Sequence, residues 1–133
     1  MTDECLIQVR SDADVVLARQ QGRRLAEQIG FTSCEQTLIA TAISELARNI
    51  VRYAEAGEVV LRMEHLKGRP GMVMVARDDG PGIADISQAL QDGYSSSNGL
   101  GMGLPGTRRL MDEFEIASQP GHGTIVTVKK WRL

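Results

Sequence analysis

"GMVMVARDDGPGI" occupies residues 71–83. Every side chain from Met72 to Ala76 is apolar, with no alternation of polar and apolar positions. A run this short and this uniform reads as a strand covered on both faces, at the centre of a sheet. Beyond Arg77, the segment Asp78-Asp79-Gly80-Pro81-Gly82 is turn chemistry. Gly80 and Gly82 let the chain bend sharply and pass close to a ligand with no Cβ in the way. A carboxylate at the end of a central strand, Asp78, can accept hydrogen bonds inside a cleft. It suits the exocyclic amine of adenine and repels the carbonyl oxygen that guanine carries there. Taken alone, a turn of this composition is common.

Upstream of that strand the chain reads as one strand, two helices and a second strand. "CLIQV" (residues 5–9) is a short strand. "DADVVLARQQGRRLAEQIG" (12–30) carries Val15, Ala18, Leu25, Ala26 and Ile29 at helical spacing, with Asp12 or Asp14 to cap its start and Gly30 to end it. "TSCEQTLIATAISELARNIVRYA" (32–54) is a longer helix opened by a capping box, Thr32 with Glu35. Ile39, Ile43, Leu46, Ile50 and Tyr53 form its core-facing stripe. Thr41, Glu45, Asn49 and Arg52 form the opposite one, Glu45 and Asn49 standing about 40° apart. By periodicity alone that polar stripe is the solvated side of an amphipathic helix. "GEVVLRMEHL" (57–66) pairs with the central strand through a turn within residues 67–71.

Downstream, "ISQALQDG" (86–93) fits a short helix and "PGTRRLMDEF" (105–114) a firmer one, with Pro105 in the first turn, where a missing N–H costs nothing. "FEIASQ" and "GTIVTVKKW" form a closing hairpin across Pro120-Gly121-His122-Gly123. The expected fold class is α+β: a two-layer sandwich of a mixed, mainly antiparallel sheet with helices on one face. The chain of 133 residues is expected to be one domain.

Between the central strand and the closing hairpin lies "GLGMGLPG" (99–106). Its glycines bare backbone N–H groups and lead into a helix whose dipole is positive at that end, a combination that suits polyphosphate. It is not a Walker A loop, because no Gly-Lys-Ser/Thr follows, and not a Rossmann fingerprint, because no strand precedes it directly. Gly123-Thr124 opens the last strand, and Thr124 can offer its hydroxyl to a ring nitrogen or a bridging water.

Composition excludes several classes. The formal net charge is −2, and lysine occurs only at Lys67, Lys129 and Lys130, a poor basis for binding nucleic acid. Cys5 and Cys34 make neither a disulfide framework nor a zinc site and read as reduced thiols. No apolar run approaches the roughly 18 residues of a membrane span, and no signal-peptide pattern precedes "MTDECLIQV"; the expected location is the cytoplasm. The methionines read as core filling. His65, His122, Arg23-Arg24 and Arg108-Arg109 read as surface residues.

Glu-x-x-x-Asn on a helix, Asp-x-Gly-x-Gly after a strand, Gly-x-Gly-x-Gly opening a helix, and Gly-Thr resemble, in that order, the boxes of the GHKL (Bergerat-fold) ATPases. "TAISELARNI", "DDGPGI", "DGYSSSNGLGMGLPG" and "RRLMDEFEI" resemble more closely the switch serine/threonine kinases of the bacterial stressosome, over nearly the whole chain. The resemblance implies Glu45 as the catalytic carboxylate and Asn49 as a ligand of Mg²⁺ beside ATP. It implies Asp78, Gly80, Gly82, Ile83 and Thr124 around the base, a lid at about 84–98, and Gly99, Leu100, Gly101, Met102, Gly103 and Leu104 around the phosphates. Implied partners are STAS-domain scaffold and antagonist proteins, phosphorylated on serine or threonine, and a serine phosphatase activated by binding; no nucleic acid or membrane is implied. Arg48, Arg52 or Arg108 could neutralise the γ-phosphate, and the sequence does not choose among them; all three read first as surface or partner-facing residues. An anti-sigma factor that sequesters a sigma factor would share all four boxes. A non-catalytic, nucleotide-gated adaptor would have no need of Glu45 and Asn49.

Overall fold

In the computed structural model, the described residues are 4–82 and 103–132. The apolar run lies in the middle strand of five. In chain order the elements are β1 (Glu4–Val9), α1 (Asp12–Ile29), α2 (Ser33–Ala54), β2 (Gly57–Leu66), β3 (Arg69–Asp78), α3 (Gly103–Leu110), β4 (Glu113–Ser118) and β5 (Thr124–Trp131). The sheet order is β1-β2-β3-β5-β4. All four pairings among the described strands are antiparallel, so the sheet described is antiparallel throughout rather than mixed.

Register explains the core. Leu61, Met74 and Val128 stand side by side across β2, β3 and β5, as do Val59, Ala76 and Val126 one pleat along. These rows, continued by Ile7 and Val9 of β1, are buried beneath Ile39, Ile43, Leu46 and Ile50 of α2 and Val15, Ala18, Ala26 and Ile29 of α1. Met72, Met74 and Met111 are buried, as core filling requires. The helices cross closely at Gly22, where a Cβ would strike the Ile43 side chain. The opposite sheet face carries charge pairs such as Arg62–Glu64 and Arg77–Glu58.

Local chemistry sets the boundaries. At α2 the Thr32 hydroxyl accepts from Glu35 N (3.1 Å) and the Glu35 carboxylate accepts from Thr32 N (2.9 Å), so the expected capping box is present. α1 begins differently from the expectation. Ser11 is its N-cap, and Asp14, three residues inside, accepts from the Arg10 backbone N–H (2.9 Å). The carboxylate works from inside the first turn, which the helix dipole also favours. Gly30 closes α1, its N–H donating to Ala26 O and Glu27 O. The β2–β3 turn is tighter than the five residues expected. Lys67 and Gly68 both take positive φ (53° and 78°), as a two-residue hairpin turn requires, so β3 starts at Arg69. α3 ends at Leu110, short of the expected Phe114, because Glu113 and Phe114 join the ladder with β5. Tyr53 is not core-facing: it is 51% exposed, in the last turn of α2. The expected 86–93 helix lies outside the described residues.

Candidate nucleotide-binding site

The turn after β3 is fixed by its own carboxylate. Asp78 Oδ1 accepts from Gly80 N at 2.9 Å, an Asx turn that holds the half-buried side chain at the strand's end. Antiparallel pairing places Asp78 opposite Thr124 of β5. The Thr124 hydroxyl shares a 2.8 Å hydrogen bond with Ser118 Oγ, which also bonds Gly123 O at 3.0 Å. Sequence reading missed Ser118, and no local signal marks it. Only the β4–β5 register brings it to Thr124.

Two loops then lock together. Gly121 N donates to Pro81 O at 2.7 Å. Gly123 has φ +80°, and a Cβ on it would collide with the Asp78 carbonyl. A Cβ on Gly82, φ +77°, would meet the Gln119 carbonyl. The Asp-x-Gly-x-Gly turn and the Gly121–Thr124 turn thus lie backbone against backbone. Gly80 abuts Ala54, the last residue of α2. The Asp78–Gly82 and Gly121–Thr124 patches therefore meet at one end of the sheet, with the last residue of α2 against the first of them.

Further up α2, Glu45 is only 5% exposed, contrary to the solvated stripe that periodicity alone suggests. A glutamate is almost never buried without a partner. Its partner is Arg48, with Nη1 2.6 Å from Oε1. The i,i+3 spacing was visible in the sequence. Of the three arginines left open there, the structure joins this one to Glu45. Asn49, one turn beyond, is half-buried, as is Thr41, whose hydroxyl bonds the Thr37 carbonyl (2.9 Å). α3 packs on α2. Its first turn carries Leu104, half-buried against the core, and Thr107 is fully buried. Gly103 is its first residue. Ile83, Gly99, Leu100, Gly101, Met102 and the expected lid at 84–98 lie outside the described residues. His65 and His122 are exposed, as are Arg23, Arg24, Arg108 and Arg109. Cys5 and Cys34 are free thiols.

Residues 9–130 match the histidine kinase-like ATPase domain. The chain belongs to that family. Within it, the chain is 46% identical to the serine/threonine-protein kinase RsbT of Bacillus subtilis, over 98% of both chains, and is therefore a homologue of a protein serine/threonine kinase. It is 32% identical to an anti-sigma F factor of Clostridium kluyveri, over 85% of this chain and 82% of the other. The mycobacterial sensor histidine kinase MprB shares the fold: TM-score 0.55 over 98% of this chain and 97% of that one, at 14% identity. Membership of this ATPase family implies ATP binding. No helix among the described residues is long and apolar enough to cross a membrane.

Proposed function

We propose that this chain transfers the γ-phosphate of Mg·ATP to a serine or threonine of a STAS-domain scaffold or antagonist protein. In the same reading it activates a serine phosphatase by binding it, in the cytoplasm, as a single kinase domain. The observation that carries the reading is the pair Glu45 and Asn49, one helical turn apart on α2, whose last residue touches the Asp78–Gly82 turn.

Asp78 would accept the adenine amine through the carboxylate oxygen not engaged by Gly80 N, with Thr124 and Gly82 beside it and Gly80 and Ile83 completing the turn. Gly99, Leu100, Gly101, Met102, Gly103 and Leu104 would surround the phosphates. Among the described residues no group of three His, Cys, Asp or Glu is placed to hold a metal. A lone amide oxygen at Asn49 suits Mg²⁺, which prefers to keep waters and phosphate oxygens as ligands. The ion would neutralise phosphate charge. Glu45 takes the proton as the acceptor oxygen bonds the γ-phosphorus, the bond to the bridging oxygen breaks, and ADP leaves.

A second reading is an anti-sigma factor that sequesters a sigma factor and phosphorylates its antagonist; the likeness to the anti-sigma F factor favours it. Pull-down separates the two: a phosphatase and a STAS protein are retained in the first case, a sigma factor in the second. The deciding experiment incubates the protein with Mg·ATP and a STAS-domain protein and maps phosphoserine and phosphothreonine by mass spectrometry. Transfer by wild type but not by Glu45→Ala is the expected result. Equal transfer by both would overturn the assignment of the base.

A further inference from the structure

Asp78, Thr124 and Ser118 stand in one row across β3, β5 and β4. Strand alternation puts them on the same face as Ala76, Val126 and Ile116, the neighbouring row that packs into the core. The hydrogens in that row follow from counting. A serine hydroxyl has one hydrogen, and a carbonyl can only accept. Ser118 Oγ lies 3.0 Å from the carbonyl oxygen of Gly123, a buried residue, so the serine hydrogen goes there. None is left for Thr124. In the 2.8 Å contact between the two hydroxyls, Thr124 is therefore the donor and Ser118 the acceptor.

Resting on the nucleotide site described under the proposed function, we propose that Ser118 fixes the polarity of Thr124 and through it helps to select the base. With its hydrogen held by Ser118, Thr124 turns only lone pairs toward a ligand. Asp78 beside it is an acceptor too, its Oδ1 already taking the Gly80 N–H. The two side chains thus offer acceptors alone. An amine at position 6 of a purine meets them as a donor, whereas a keto oxygen there finds no hydrogen to bind. Thr124 cannot donate to a ring nitrogen such as N1. A water that donates both to that nitrogen and to Thr124 is the link this polarity permits. Remove the Ser118 hydroxyl, and the Thr124 hydrogen is released to turn toward a keto oxygen. Ser118 acts through Thr124 and is a positioning residue.

Two measurements test this. Neutron diffraction from the full wild-type chain, without nucleotide, locates the Thr124 hydroxyl hydrogen. It is expected on the line to Ser118 Oγ; a hydrogen turned to the Asp78 side overturns the proposal. Calorimetry then compares Mg·ATP with Mg·ITP, whose base carries a keto oxygen in place of the amine. In Ser118→Ala the preference for ATP over ITP should fall by about tenfold, the worth of one hydrogen bond gained or lost. Ser118→Thr keeps a hydroxyl and should keep the preference to within about threefold. In a Thr124→Val background, Ser118→Ala should leave the preference unchanged. A role in stability alone would weaken both nucleotides together and leave their ratio unmoved. An unmoved ratio in Ser118→Ala overturns the proposal. So does a Ser118→Thr ratio as low as that of Ser118→Ala, or an undiminished effect in the Thr124→Val background. Neither measurement needs phosphoryl transfer. A chain with the expected hydrogen that binds no Mg·ATP refutes the nucleotide reading, whereas one that binds Mg·ATP with the ratio unmoved refutes the role of Ser118 alone.

Discussion

Glu45 sits in an almost solvent-free position paired with Arg48, and that shapes what substitution does there. Replacing it with alanine removes the proposed base and strands Arg48. A steady-state phosphotransfer assay should show a loss of about 10²–10⁴-fold, the usual worth of a general base. Calorimetry should show nucleotide still bound. Asp78→Asn keeps the size and the Asx turn but weakens a charge-assisted acceptor. Nucleotide affinity should fall by roughly tenfold, equivalent to about 1.4 kcal/mol. Gly123→Ala tests the backbone contact rather than the ligand. With φ at +80° and the Asp78 carbonyl in the path of a Cβ, it should cost about 1–3 kcal/mol and lower the melting temperature by several degrees. Of these three residues, Asp78 was the most legible, since a carboxylate at the end of an apolar run announces its position. The burial of Glu45 was not legible, because helical periodicity gives the angle of a side chain and not what lies over it.

Among the elements, α2 does the most to build the site, and its start is set by the Thr32–Glu35 capping box. Thr32→Ala should cost about 1 kcal/mol in chemical denaturation and leave nucleotide affinity unchanged, because the cap lies at the far end of the helix from Asn49. The two long helices and β2 were readable since period, cap and turn signals agree there. Shorter elements were read less well for physical reasons. The start of β3 was hidden by Pro70, which reads as a breaker; in the sheet its carbonyl accepts from Arg132 N (2.9 Å) while Lys67-Gly68 alone makes the turn. α3 was read too long, because Met111 to Phe114 continue an apolar spacing that pairing with β5 overrides. The tertiary contact decided what propensity left ambiguous.

For the whole molecule, the informative fact is convergence. Asp78 and Thr124, 46 positions apart, stand side by side only because β3 and β5 are neighbours, and α2 ends against the turn that follows β3. Sequence order suggested that arrangement through resemblance; periodicity alone did not, because strand order is a long-range property. A ligand that binds this assembled state stabilises the fold by linkage. At about a hundredfold excess over its dissociation constant, Mg·ADP should add about 2.7 kcal/mol, read as a rise in melting temperature that Asp78→Asn diminishes. The most direct measurement is a crystal structure of the chain with Mg²⁺ and a non-hydrolysable ATP analogue. The expected result is adenine on Asp78 beside Thr124, with the metal on Asn49 and the γ-phosphate within reach of Glu45. A nucleotide bound elsewhere, or bound with Asp78 and Asn49 both untouched, would contradict it.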